Sequence, residues 1–371
     1  MRIVAAGILS RADRGTNRAN LTFPTVTVLD DGSLLATLRA GPEKDSAAEV
    51  IELYRSRDNG DTWSGPERPF VPPGLGGRAG TLKLCYLTPL APGRLLAAAM
   101  WVDRTTYPGQ PLFNAETEGC LPMSIFLAES ADDGHTWTAW RHIPIPDDIG
   151  PASLTSPILK LADGRLAMSI ETNKPYLDRS KWQQRAVFLH SADGGLTWSA
   201  PATVAEDPTG RIFNWDLRCA VAPDGRVGSF AWTYDSTTAT YLDIHRRISR
   251  DGGTTWTEPE AIGVSDQAAR PAIFADGSTV LAWVDRFGSR SIRARRAANI
   301  AAPFEPASEA VIYAHEEAAT GSAGTGEMLA SMELWSFGLP FATALPNGEA
   351  IVVYYAGEAK ALDIRWARLA P

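Results

Sequence analysis

The chain has 371 residues, 44% apolar and 21% charged, with twelve tryptophans; it can bury a large core and is not a disordered segment. Thirty-five basic residues against 43 acidic leave a net charge of −8 with no Lys/Arg block, which argues against a nucleic-acid partner. No apolar run of about 18 residues exists, so no membrane span is expected.

The opening run Met1–Ser10 offers a handful of apolar residues before Arg11, Asp13 and Arg14, too short for a secretory signal core. Cys85, Cys120 and Cys219 are odd in number, widely spaced and outside any CxxC, so neither a disulfide framework nor a zinc site is expected. A reduced, cytoplasmic protein is the expectation.

From there the chain repeats itself. A tight glycine turn between two apolar strands first occurs at Asp31-Gly32, with Val26–Leu29 before it and Leu34–Leu38 after. It returns at Pro92-Gly93, Asp163-Gly164, Asp224-Gly225, Asp276-Gly277 and Asn347-Gly348, at glycine spacings of 61, 71, 61, 52 and 71 residues. Four of these hairpins are followed by a β-rich run and an octapeptide. The octapeptides are Ser56–Trp63 (SRDNGDTW), Ser130–Trp137 (SADDGHTW), Ser191–Trp198 (SADGGLTW) and Ser249–Trp256 (SRDGGTTW). Their chemistry is that of a turn: the Asp accepts backbone N–H bonds, the Gly takes a positive φ, and the Trp tucks between strands. The fifth unit has a worn copy around Arg296–Phe304, and the sixth ends at the C-terminus.

A period near 60 residues built of two hairpins predicts an all-β, six-bladed β-propeller in a single domain; two stacked sandwiches are the alternative. The blades are expected at about residues 20–70, 78–145, 152–204, 212–262, 266–310 and 330–371. The N-terminal Arg2-Ile3-Val4 is expected to close the ring against Asp363–Trp366, leaving no free edge.

The octapeptides resemble the Asp-box (BNR) repeats of the sialidase (neuraminidase) superfamily, whose fold is a six-bladed propeller. The resemblance implies an axial funnel that holds a sugar. It also implies three arginines gripping a carboxylate, a Tyr nucleophile paired with a Glu, and an Asp acid/base. Counted from the hairpin glycines, the family's Arg-Ile-Pro falls on Thr22-Phe23-Pro24, so the first arginine is absent. The family's tyrosine falls on Leu339, whereas the partner carboxylate is matched by Asp216.

Independently of any family, residues at equal offset from the six glycines should form a ring at equal depth. Seven residues after each glycine stand Arg39, Met100, Glu171, Trp232, Val284 and Tyr355; one further on are Ala40, Trp101, Thr172, Thr233, Asp285 and Ala356. Glu171, ending an apolar strand, is the leading catalytic candidate, as a general acid of raised pKa beside Trp232. Its bland alternative is a strand-end carboxylate paired with Lys174 or Arg39. Asp216 is the second catalytic carboxylate, with a structural pair to Arg218 as its alternative.

Gln267 and Glu333 head inner strands and are expected to bind hydroxyls, together with Asn214. Arg39, Arg270 and Arg286 are placed to receive a carboxylate. Trp101, Trp215, Trp232 and Trp335 are candidates to stack on sugar rings or to pack between blades. Asp285 and Asp235 are reserve carboxylates. Asp103 repeats the Trp-x-Asp-Arg pattern of Trp283–Arg286, which favours a structural role.

No His/Cys/Asp cluster has ligand spacing, so no catalytic metal and no cofactor are expected, with a loop Ca²⁺ left open. The expected partner is a small carbohydrate; oligomeric state is not readable. The leading function is a sialidase-like glycoside hydrolase that removes a terminal, possibly acidic, sugar. A uronate lyase with Tyr234, Tyr355 or a His as base, and a non-catalytic glycan-binding propeller, are the alternatives.

Overall fold

A computed structural model describes residues 1–315, 335–358 and 360–371. Strands dominate; the helical segments among the described residues are single turns at Asp147–Ile149 and Pro306–Ser308. Among the described residues the strands pair into five hydrogen-bonded sheets, four of them with four or five strands and one with eight. Within each repeat the second strand is the most apolar. Leu34–Gly41 is buried along its whole length and Arg94–Asp103 at every residue after the exposed Arg94, as expected for strands covered on both faces.

The eight-stranded sheet holds two antiparallel four-stranded halves. One consists of Asn20–Val28, Leu34–Gly41, Val50–Ser56 and Ser64–Glu67. The other consists of Phe337–Ala344, Ala350–Glu358, Ala361–Ala370 and the N-terminal Arg2–Ser10. A single parallel pair, Asn20 with Leu362, joins them. The N-terminal run thus pairs with the last strand, but in a different register from the one expected. Arg2 lies opposite Ala370, and Gly7 to Ser10 lie opposite Trp366 to Ile364. Gly7 permits this: a Cβ there would stand 2.9 Å from the Trp366 ring.

The innermost strands pack in a circuit. Asn20–Val28 contacts Gly80–Ala91, which contacts Leu159–Lys160, then Ile212–Val221, Gln267–Ala268 and Phe337–Ala344, which returns to Asn20–Val28. Apolar clusters fill the spaces between neighbouring sheets.

The four octapeptides share one hydrogen-bond pattern. The Ser Oγ donates to the Asp Oδ1 at 2.8 Å in every copy. The Thr N–H and hydroxyl donate to the same Asp, and the Trp Nε1 donates to the Gly carbonyl at 2.8–3.2 Å. These bonds hold the Asp132 and Asp193 carboxyls at about 2. The octapeptide glycine has a second role. A Cβ on Gly60 would stand 2.7 Å from Ile351, and one on Gly253 would stand 2.5 Å from Phe188. Gly134 meets Leu35 and Gly195 meets Leu127 in the same way, so each turn docks on the unit preceding its own. In the fifth unit Asn299 and a buried Phe304 occupy the Asp and Trp places.

Candidate functional site

A cavity of about 390 Å³ opens at the N-terminal ends of the innermost strands. Its wall follows the repeat. Ten and nine residues before the hairpin glycines stand Thr22 and Phe23, Lys83 and Leu84, Leu154 and Thr155, and Trp215 and Asp216, all lining it; Gln267 and Leu339 complete the circuit. Phe23, Asp216 and Leu339 have φ of 52°, 49° and 47° at matching breaks in ladder register. A non-glycine residue in this left-handed region costs about 1 kcal/mol or more, so its recurrence at one depth of three units marks a strained rim.

Seven residues after the glycines, Met100, Glu171, Trp232 and Tyr355 line the cavity, while Arg39 and Val284 do not. One further on, none does, because successive side chains on a strand face opposite sides. That alternation removes Trp101 and Asp285 from the site. Trp101 is fully buried, donates Nε1 to the Pro73 carbonyl at 2.9 Å and packs on Phe126. Asp285 accepts N–H bonds from Gly288 and Ser289 and caps its own loop. Asp103 and Asp235 cap their loops in the same manner.

Glu171 and Asp216 are brought together. Glu171 is buried, and its Oε1 accepts the Leu217 N–H at 2.8 Å. Neither Lys174 nor Arg39 is its partner: Lys174 donates to the Ser180 carbonyl, and Arg39 pairs with Glu49 at 2.6 Å. Burial and the negative charge of Asp216 push the Glu171 carboxyl up to about 8. Asp216 is bound at both oxygens. Oδ1 meets Arg218 Nη2 at 2.6 Å, and Oδ2 accepts from Gln267 Nε2 at 2.6 Å. Arg218 is buried and also donates to Tyr86 Oη and the Thr155 carbonyl. The pair that the sequence offered as a structural alternative therefore exists, and the same Asp216 still faces the cavity.

Tyr355 lies opposite Gly338 in the ladder. A Cβ on Gly338 would stand 2.9 Å from Tyr355 Oη and 3.0 Å from Arg286 Nη2, so glycine makes room for both. Burial raises the Tyr355 phenol to about 12, against the pull of the neighbouring Arg286. Arg286 stands behind the wall. It donates to the Phe337 carbonyl at 2.5 Å and to Gln267 Oε1 at 3.3 Å, and lies 3.9 Å over the Trp335 ring.

Three other expected contacts are set back from the cavity. Arg39 is fully buried against Glu49. Asn214 exchanges backbone bonds with the Gln184 amide and accepts from Arg247. Tyr234 is buried, stacked on Trp215 at 5.0 Å. Glu333 lies outside the described residues. Trp182, Trp215, Trp232 and Trp335 together form one aromatic side of the cavity.

Among the lining residues that the sequence did not single out, four are charged or tryptophan. Lys83 has the same offset as Thr22 and Gln267, so extending that count to every unit finds it. Trp182, Lys44 and Asp45 come from loops that no periodicity marks. Asp45 is bound by Lys83 at 2.7 Å and by Arg104, and accepts the Leu112 N–H. Burial opposes its ionisation, yet Lys83 and Arg104 hold its carboxyl well below the usual range. Lys44 donates to the Trp335 carbonyl and lies 4.8 Å over the Tyr355 ring.

No protein-family model matches the chain. Among solved structures it is similar to a Dyadobacter fermentans protein of unknown function (TM-score 0.75, 21% identity, covering 99% of this chain and 98% of that one). It is also similar to the Hadza microbial sialidase Hz136 (0.67, 16%, 98% and 68%). A third is the α-L-arabinanase of Penicillium chrysogenum complexed with arabinobiose (0.63, 17%, 100% and 99%). At these identities the likeness shows the fold, an all-β propeller.

Proposed function

We propose that the chain is an Asp-box propeller of six blades, closed by Arg2–Ser10 on Ala361–Ala370, and that it is a glycoside hydrolase acting on a terminal sugar. The two halves of the eight-stranded sheet count as two blades, since their packing neighbours differ and one residue pair joins them. The axial circuit of inner strands and the docking of each octapeptide on the preceding unit support closure.

The Glu171–Asp216 pair carries the reading. Two carboxyls in one cavity, one of them pushed up to about 8 by burial and by its neighbour's charge, divide into a proton donor and an anion. Glu171 gives its proton to the departing glycosidic oxygen. Asp216 supplies negative charge as the anomeric carbon becomes electron-poor, or orients the attacking water. Arg218 and Gln267 fix Asp216, and the tryptophans bind the apolar face of the ring. Tyr355, with its phenol near 12, serves as a neutral hydroxyl donor to substrate rather than as a nucleophile.

Among the described residues, the arginines around this cavity are already engaged: Arg39 with Glu49, Arg218 with Asp216, Arg286 with Phe337 and Gln267. A neutral terminal sugar therefore fits better than an acidic one. The lyase reading is weaker, since Tyr234 is buried away from the cavity and the Tyr355 phenol is a poor base near neutrality.

The test is a panel of neutral and acidic nitrophenyl glycosides assayed with the wild type and Glu171→Gln. Release from a neutral glycoside that the variant loses is expected. Full turnover by the variant, or an ultraviolet-absorbing unsaturated product, would overturn the reading.

A further inference from the structure

The innermost strands end in a second cavity of about 350 Å³, on the opposite side of the wheel from Glu171. Three threonines line it, Thr27, Thr88 and Thr343, each five residues before its hairpin glycine, together with Lys160, Phe341 and Arg270. Arg270 is half-buried and differs from three of the buried arginines, whereas Arg286, like it, has no ion pair among the described residues. Arg39, Arg218 and Arg246 each meet a carboxylate within 2.7 Å. Arg270 meets no carboxylate within ion-pair distance among the described residues. Its Nη1 donates to Thr343 Oγ1 at 3.3 Å and, weakly, to the Ala342 carbonyl at 3.5 Å. Its Cζ lies 5.6 Å from the Phe341 ring centre, and its Nε is shielded from solvent with no acceptor. Burying a guanidinium without a counter-charge is costly, and its planar fork fits two oxygens of one anion.

We propose that this cavity binds a small oxyanion (phosphate, sulfate or a carboxylate) held by Arg270, with Thr343 and Lys160 donating beside it. Thr343 accepts from Arg270 and retains its own proton to donate. Lys160, at the mouth, uses one N–H on the Leu90 carbonyl at 2.7 Å and keeps two. Burial pulls the Arg270 guanidinium down to about 10, the direction taken by a buried cation that lacks an anion. Arg270 and Thr343 belong to neighbouring units, and Arg270 forms a parallel bridge with Phe341. An anion here would tie two sheets together. The site is independent of the glycosidase reading.

The experiment measures the melting temperature of the full chain in millimolar phosphate, sulfate or acetate against sodium chloride of equal ionic strength. A rise of about 1–3 °C for at least one oxyanion is expected in the wild type. It should be absent in Arg270→Gln and reduced in Thr343→Val, which keeps the guanidinium. Phosphorus NMR line broadening of inorganic phosphate reports binding directly, and should be lost in Arg270→Gln and weakened in Thr343→Val. The three anions separate phosphate-like from carboxylate ligands. Equal melting in all salts without line broadening, or an undiminished rise in both variants, overturns the proposal.

Discussion

Glu171 and Asp216 are linked through one peptide: the N–H of Leu217, next in the chain after Asp216, is donated to Glu171 Oε1 at 2.8 Å. The left-handed turn at Asp216, φ 49°, sets this geometry, so backbone and charge couple the two carboxyls. In the proposed role of proton donor Glu171 acts while protonated, so turnover should fall as pH rises through about 8. Glu171→Gln should lower kcat by about 10²–10⁴-fold and remove that alkaline limb. A pH–rate profile of both proteins decides it.

The same carboxyl makes stability pH-dependent. Its folded pKa lies above its unfolded value of 4.5, so the folded chain holds the proton more tightly. That contribution is complete below about 4.5 and is lost as pH climbs to about 8. Other groups titrate in this window, including Asp266, raised to about 6 by burial. The informative quantity is therefore the difference between wild type and Glu171→Gln. The variant's unfolding free energy should decline less between pH 5 and 8, by an amount on the order of a few kcal/mol. Parallel declines would contradict the burial assigned to Glu171.

Asp216→Asn tests the other member. It leaves the buried Arg218 without its carboxylate, which should cost about 3 kcal/mol in denaturant unfolding. Removing the negative charge should also lower the Glu171 pKa, since that charge is among the causes of its rise. Residual activity should then lose its alkaline limb at lower pH. An unchanged limb would mean that burial alone sets Glu171.

Trp232 reports on the aromatic side. Its ring lies 5.1 Å from Tyr241 and 5.5 Å from Trp335, which fixes its orientation in the cavity wall. Trp232→Leu should raise KM about 3–10-fold with kcat little changed, because ring stacking is made in the ground state as well. A drop in kcat at constant KM would instead place Trp232 near the reacting atoms.

How far the sequence reached is clear from single residues. The hairpin glycines located Glu171, Asp216, Trp232 and Tyr355, because a repeat transfers depth from one unit to the next. They misplaced Trp101 and Asp285, since an offset moved by one residue changes the face of the strand. They could not exclude Arg39, whose position is inward in the count but whose charge is taken up by Glu49, ten residues on. Asp45 and Trp182 were invisible: both sit on loops whose course is set by contacts from other units, such as Arg104 and Leu112 on Asp45. The register of Arg2–Ser10 was likewise set by packing, with Gly7 against Trp366, and not by the alternation within the strand.

The N-terminal strand offers the sharpest test of closure. Arg2–Ser10 covers the outer edge of Ala361–Ala370 along most of its length, from Arg2 opposite Ala370 to Ser10 opposite Ile364. Deleting residues 1–10 would bare a row of unpaired backbone groups on a long strand whose residues alternate between buried and half-buried. It would also remove the Ser10 hydroxyl from its bonds with Tyr54 and Arg18, which reach into the first unit. The truncated chain should melt several degrees lower and self-associate, seen by calorimetry and light scattering. A synthetic peptide of residues 1–11 added in trans should restore part of the melting temperature by pairing with the bared edge. A truncated chain that stays monomeric and melts as the parent does would mean that the wheel is held by its inner strands alone.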